Sequence, residues 1–113
     1  MKSSIQSVMA GISAYIDQEI VPMGATMKNL DQFLFGIKIG VVRGKLETMV
    51  RDFVMSDMAK AVKLVDEEGK IDIDTLYQSA VSSIKPISYI DIVGIRLNEN
   101  DIAKLYNYIK ERS

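Results

Sequence analysis

Two rows of apolar side chains run through residues 30–53, and they constrain the fold more than any other feature of the sequence. The first row has the three- and four-residue spacing of a helix packed along its length, and it contains Phe35, Ile39, Val42, Leu46, Met49 and Phe53. The second row contains Leu30, Phe33, Leu34, Ile37 and Val41. Successive helical residues are rotated by about 100°, so the rows lie on different sides and residues 30–42 are apolar nearly all round. Such a helix is expected to be buried on two sides.

A row of glycines lies beside the second apolar row. Gly36, Gly40 and Gly44 are spaced four residues apart, and each glycine inside a helix costs about 1 kcal/mol relative to alanine. Close approach of another helix could offset that cost, because small residues let two backbones come together. The alternative is a strand over residues 35–42, where β-branched residues alternate with glycine. We prefer the helix because both apolar rows pass through this region in register.

The N-terminal part of the chain is predicted to be a helical hairpin. Ser3 or Ser4 can cap a first helix that runs to about Ile20 on a single apolar stripe. Residues 21–24 then break the pattern, because they include a proline and a glycine. The long second helix is expected from Thr26 to Val65, with a break or kink where Ser56 could start a new segment.

The C-terminal part is predicted to mix short strands with two helices. Residues 70–74 alternate like a strand, and Asp74 is the expected N-cap of a helix over residues 75–84. Two short strands follow within residues 87–97, joined by a turn at Val93-Gly94. Asn98 is expected to cap a final helix over residues 99–111, with Asp101 completing a capping box.

These elements predict an α+β fold that is mainly α. A helical hairpin would form residues 1–65, and a small α/β unit packed on it would form residues 66–113, so that the whole is one compact domain. The turn at residues 66–69 would join the two parts.

Composition excludes several classes of function. The chain has 113 residues, no cysteine and no histidine, which removes thiolate nucleophiles, zinc–cysteine sites and histidine-based acid–base catalysis. We therefore expect no enzyme and no cofactor. The net charge of −1 disfavours nucleic-acid binding, which needs a surplus of basic residues. No signal peptide and no membrane-spanning run is recognised, so we expect a cytoplasmic protein that binds no membrane.

The acidic turn at residues 66–74 resembles part of an EF-hand calcium loop, with Gly69 at the position of the turn glycine. The candidate ion ligands at matching positions are Asp66, Glu68 and Asp72. Both terminal ligand positions lack an acid, because Leu64 and Thr75 occupy them. A solvated acidic turn between a helix and a strand is the simpler interpretation.

One family-level resemblance covers the C-terminal part of the chain. The stretch from Gly94 to Tyr106, which follows the segment Ile-Asp-Ile-Asp-Thr-Leu-Tyr at residues 71–77, resembles small uncharacterised bacterial proteins, some of them encoded by prophages. The resemblance has no diagnostic motif and implies no activity.

The leading functional hypothesis is a non-enzymatic interaction or assembly protein that associates with itself, or with another protein, through the helix around residues 30–53. The candidate interface residues are Phe33, Gly36, Ile37, Gly40, Val41 and Gly44. One alternative is that the C-terminal unit covers this helix and the protein is a monomer. Another is an ion-binding or regulatory module built on the acidic turn at residues 66–74.

Overall fold

Five α-helices and two small antiparallel sheets make up the computed structural model, which describes residues 1–113. The helices are α1 (Ile5–Tyr15), α2 (Asn29–Val54), α3 (Asp57–Ala61), α4 (Ile73–Ile84) and α5 (Glu99–Glu111). The strands are β1 (Lys2–Ser3), β2 (Ile71–Asp72), β3 (Tyr89–Ile92) and β4 (Ile95–Asn98). The predicted α+β class with a predominance of helix is confirmed.

The first helix follows its sequence signals closely. The side chain of Ser4 accepts a hydrogen bond from the backbone N–H of Ser7 and so caps α1. The helical path continues past Tyr15 as a π-helical segment over Ile16–Ile20, and a 3₁₀ turn over Val21–Gly24 ends it. The predicted break at residues 21–24 is therefore confirmed.

The long second helix is confirmed, but its predicted limits are wrong. Residues 35–42 are helical, so the strand alternative is excluded. The helix begins at Asn29 instead of Thr26 and ends at Val54 instead of Val65. It ends because Ser56 is extended, donates its hydroxyl to the carbonyl of Phe53 and accepts from the amide of Ala59. This contact caps the short α3, and residues 62–65 lie outside any helix.

A strand pairing that was not predicted changes the start of the fourth helix. Lys2 pairs with Asp72 and Ser3 pairs with Ile71, so β1 and β2 form one of the two sheets. The pairing holds Asp72 extended, and its Oδ1 accepts from the amides of Asp74 and Thr75, each at 3.2 Å. Asp72 rather than Asp74 is thus the N-cap of α4, and the predicted strand over residues 70–74 shrinks to Ile71–Asp72.

The predictions for the hairpin and the last helix are confirmed. Strands β3 and β4 are joined at Val93 and Gly94, whose φ angles of +47° and +88° suit the tight turn that matches strand twist. Asp91 accepts from the amide of Gly94 at 2.8 Å. Asn98 and Asp101 exchange the two hydrogen bonds of a capping box at the start of α5.

The main core lies where α1 crosses α5 and meets one side of α2. Helix α1 packs over a longer stretch on α5 than on α2. Gly11 makes the close crossing possible, since a Cβ at this position would lie 2.5 Å from the Cα of Ile109. The largest fully buried side chains are Val8, Ile12, Ile16, Ile20, Val42, Leu64, Ile71, Ile73 and Ile84. None of the helices combines the length and apolarity needed to cross a membrane.

Candidate interaction surface

Helix α2 packs most of one apolar row against the core and exposes the other. In the first row, Phe35, Val42 and Leu46 are buried in the core, Ile39 and Phe53 are half-buried, and Met49 is exposed. The second row faces away from the protein, with exposed fractions of 65% for Leu30, 66% for Phe33, 44% for Leu34, 52% for Ile37 and 45% for Val41. We call this row, together with Gly36, Gly40 and Gly44, the outer face of α2. It contains every interface residue predicted from the sequence.

The glycines of the outer face have no neighbour in this chain. A Cβ added to Gly36, Gly40 or Gly44 would have no heavy atom within 4 Å outside its own helix. Their combined cost of about 3 kcal/mol is therefore not offset by close packing within the chain. The C-terminal unit does not cover this face, contrary to the monomer alternative considered from the sequence.

Arg43 links α2 to the N-terminal helical segments. Its guanidinium donates to the Ser13 hydroxyl at 2.5 Å and to Asp17 Oδ1 at 2.7 Å, so it ties α2 to the first helix and the π-helical segment that follows. The sequence did not indicate this role, because the partners of Arg43 lie 26 and 30 residues away in the chain.

Two of the three acidic residues considered as ion ligands, Asp66 and Asp72, accept hydrogen bonds from backbone amides instead. Asp66 Oδ1 accepts from the amides of Glu68 and Lys70, both at 2.9 Å, and these bonds lower the pKa of Asp66. Asp72 caps α4, and the Glu68 side chain is exposed. No group of three or more acidic side chains is placed to hold a metal ion. Asp91 lies on a separate sheet from Asp72, so the two strand regions do not bring their carboxylates together by pairing.

A tyrosine–carboxylate contact joins α4 to α5. The hydroxyl of Tyr106 donates to Asp74 Oδ1, and the ring of Tyr106 packs on Tyr77 with 4.8 Å between centroids. The hydrogen bond lowers the pKa of Asp74, with a smaller contribution from the Met1 amino group, and raises the pKa of Tyr106. The hydrogen bond and the ring contact both connect α4 to α5 near the protein surface.

The outer face of α2 is thus a preformed apolar surface on a rigid helix, with a flat row of glycines beside protruding side chains. Comparisons with protein-family models, curated proteins and solved structures found no match to this chain. The resemblance of the C-terminal part to small bacterial proteins stays a prediction.

Proposed function

We propose that this chain is a non-enzymatic assembly protein, two copies of which associate through the outer face of α2. The observation that carries the proposal is the exposure of five large apolar side chains in one continuous row, between 44% and 66% each. Large contiguous apolar patches on soluble proteins mark interaction sites. Burying them in a partner would also remove them from water, which is the main favourable term in protein association.

The outer face is complementary to itself. Its protruding row contains Phe33, Ile37 and Val41, and its glycine row contains Gly36, Gly40 and Gly44. Both rows have a period of four residues, so the ridge of one helix fits the groove of another in the packing class commonest in globular proteins. In a parallel pair related by a twofold axis that runs between the two rows, the protruding row of each copy lies on the glycine row of the other, and Gly40 comes close to Ile37 of the second copy.

Leucine in place of Gly40 is expected to weaken self-association roughly 30-fold or more. The added side chain would collide with Ile37 of the second copy at two symmetric points, and overpacking costs about 1–3 kcal/mol at each. The measurement is the mass in solution by light scattering over a dilution series. Ser82→Leu is the matched control, because it adds the same side chain to an exposed position of α4. A wild-type protein that stays monomeric at every concentration contradicts the proposal.

Cysteine cross-linking tests the orientation separately, in a chain that has no cysteine of its own. Gly44→Cys is expected to form a disulfide dimer with itself when oxidised, because like-numbered residues beside the axis of a parallel pair lie at the same height and a disulfide requires Cα atoms within about 7 Å. Ser82→Cys, at an exposed position of α4, is the control and should cross-link poorly. A mixture of Phe33→Cys and Gly44→Cys that cross-links only between the two variants would instead indicate an antiparallel pair, in which like-numbered residues of these two variants lie about 16 Å apart along the helix.

A further inference from the structure

A second apolar feature lies on a different side of α2 from the outer face. The C-terminal half of α2, together with α4 and α5, encloses a cleft of ≈ 410 Å³, which we call the apolar cleft. Of its 17 lining residues, 14 are hydrophobic. Pockets that hold small organic molecules have volumes of about 300–1,000 Å³ and mostly apolar walls, so the cleft has the size and chemistry of a ligand site.

The cleft exists because the chain builds two separate cores. Val81, Ile84 and Ile102 form a small cluster between α4 and α5, apart from the main core. Helix α4 packs on α5 but makes no extensive contact with α2. Leu76 and Ala80 of α4 and Phe53 of α2 therefore line the gap as half-buried walls. An apolar molecule in the gap would contact both cores and would remove the lining side chains from water.

The charged groups of the lining indicate which kind of molecule the cleft would bind. Asp52 is the only acidic residue among the lining residues, and no lysine or arginine lines the cleft. The hydroxyls of the lining belong to Tyr77, Ser79, Ser83 and Tyr106, and that of Ser83 donates to the backbone carbonyl of Ser79. The hydroxyl of Tyr106 is already bonded to Asp74, which does not line the cleft, so this tyrosine offers its ring rather than its hydroxyl. A ligand with a carboxylate would meet repulsion without a cation to receive it. A ligand with an ammonium group would meet the carboxylate of Asp52.

We propose that the apolar cleft binds a small amphiphile with an alkyl or aromatic body and a cationic amine end directed to Asp52. The body fills the space between Phe53, Leu76 and Ala80, and the amine stays at the solvent-exposed rim where Asp52 lies. This site is independent of the proposed self-association, because it uses other residues of α2.

Three compounds with the same chain and different ends test the proposal: dodecylamine and dodecanoate, each below its micelle concentration, and dodecanol below its solubility limit. Isothermal titration calorimetry is expected to show saturable binding of dodecylamine to one site per chain. Dodecanoate should bind at least 10-fold more weakly. The variant Asp52→Asn should reduce the affinity for dodecylamine to that for dodecanol, whereas Glu47→Gln, on the same helix outside the lining, should leave it unchanged.

Two further variants test whether the compounds enter the cleft. Ala80→Phe should fill the space and abolish binding of dodecylamine, and Ser79→Phe serves the same purpose if the first variant fails to fold by circular dichroism. Ser82→Leu, on α4 but outside the lining, should bind like the wild type. Absence of saturable amine binding to the wild type, equal binding of dodecanoate, or normal binding by a folded cleft-filling variant would each overturn the proposal.

Discussion

Valine in place of Gly11 is expected to lower the free energy of unfolding by about 3 kcal/mol, at the upper end of the range for overpacked cores. Even the first carbon of a side chain at this position would lie 2.5 Å from Ile109 Cα and 2.8 Å from its backbone nitrogen. The obstacle is the backbone of α5, which cannot rotate away as a side chain would. Helices α1 and α5 must therefore move apart, and the main core opens with them.

Thermal unfolding followed by circular dichroism measures this effect, with an expected decrease in melting temperature of more than about 10 °C for a domain of this size. Gly36→Val, measured at a concentration below the onset of association, is the matched control, since it makes the same change inside a helix at a position with open space around it. The control should stay within about 0.5 kcal/mol of the wild type. Equal melting temperatures for Gly11→Val and the wild type would contradict the close crossing of α1 and α5.

The triple replacement of Gly36, Gly40 and Gly44 by alanine is expected to raise the free energy of unfolding of the monomer by about 3 kcal/mol. All three are exposed inside α2, and each replacement recovers about 1 kcal/mol of helix propensity. Nothing in the chain lies where the methyl groups would go. Denaturant unfolding at a concentration below the onset of association measures the effect without a contribution from dimers.

The same variant should associate more weakly while its monomer is more stable, because three methyl groups would hold two outer faces apart. A higher free energy of unfolding together with a lower affinity of self-association would indicate that the glycines serve the contact between two copies. An unchanged affinity would indicate that they do not. Gly69→Ala is the control for the sign of the stability change, since Gly69 has a φ of +78° and alanine there should destabilise by about 1 kcal/mol. A less stable triple variant would mean that another part of the chain covers the row.

The parts of the fold that could be predicted from the sequence depend on contacts between near neighbours. The cap of α5 uses Asn98 and Asp101, three residues apart, and the β3–β4 turn uses a Val93-Gly94 pair with positive φ at both positions. The predictions from the sequence are wrong where contacts between distant residues determine the local structure. Asp72 and Asp74 are equally good caps by composition, and Asp72 takes the role because β1, some 70 residues earlier in the chain, pairs with it.

The candidate sites also differ in whether they depend on neighbouring or on distant residues. The outer face of α2 could be predicted because its residues lie on one helix, where spacing alone places them on one side. Its exposure could not be predicted, since that depends on where the C-terminal unit packs. The apolar cleft could not be predicted from the sequence, because its lining residues come from four helices and strand β3. No single segment carries a pattern that indicates a cavity.

The crossing of α1 and α5 also sets the order in which the protein can form during synthesis. Helix α1 leaves the ribosome before α5, yet the surface that buries Val8, Ile12 and Ile16 includes α5, which begins at Glu99. Contacts between such distant segments slow folding, because a long loop must close before they form. Nascent chains that stop before α5 should therefore expose an apolar helix with no partner. A chaperone that holds exposed apolar segments has its longest opportunity to act on this protein during that interval.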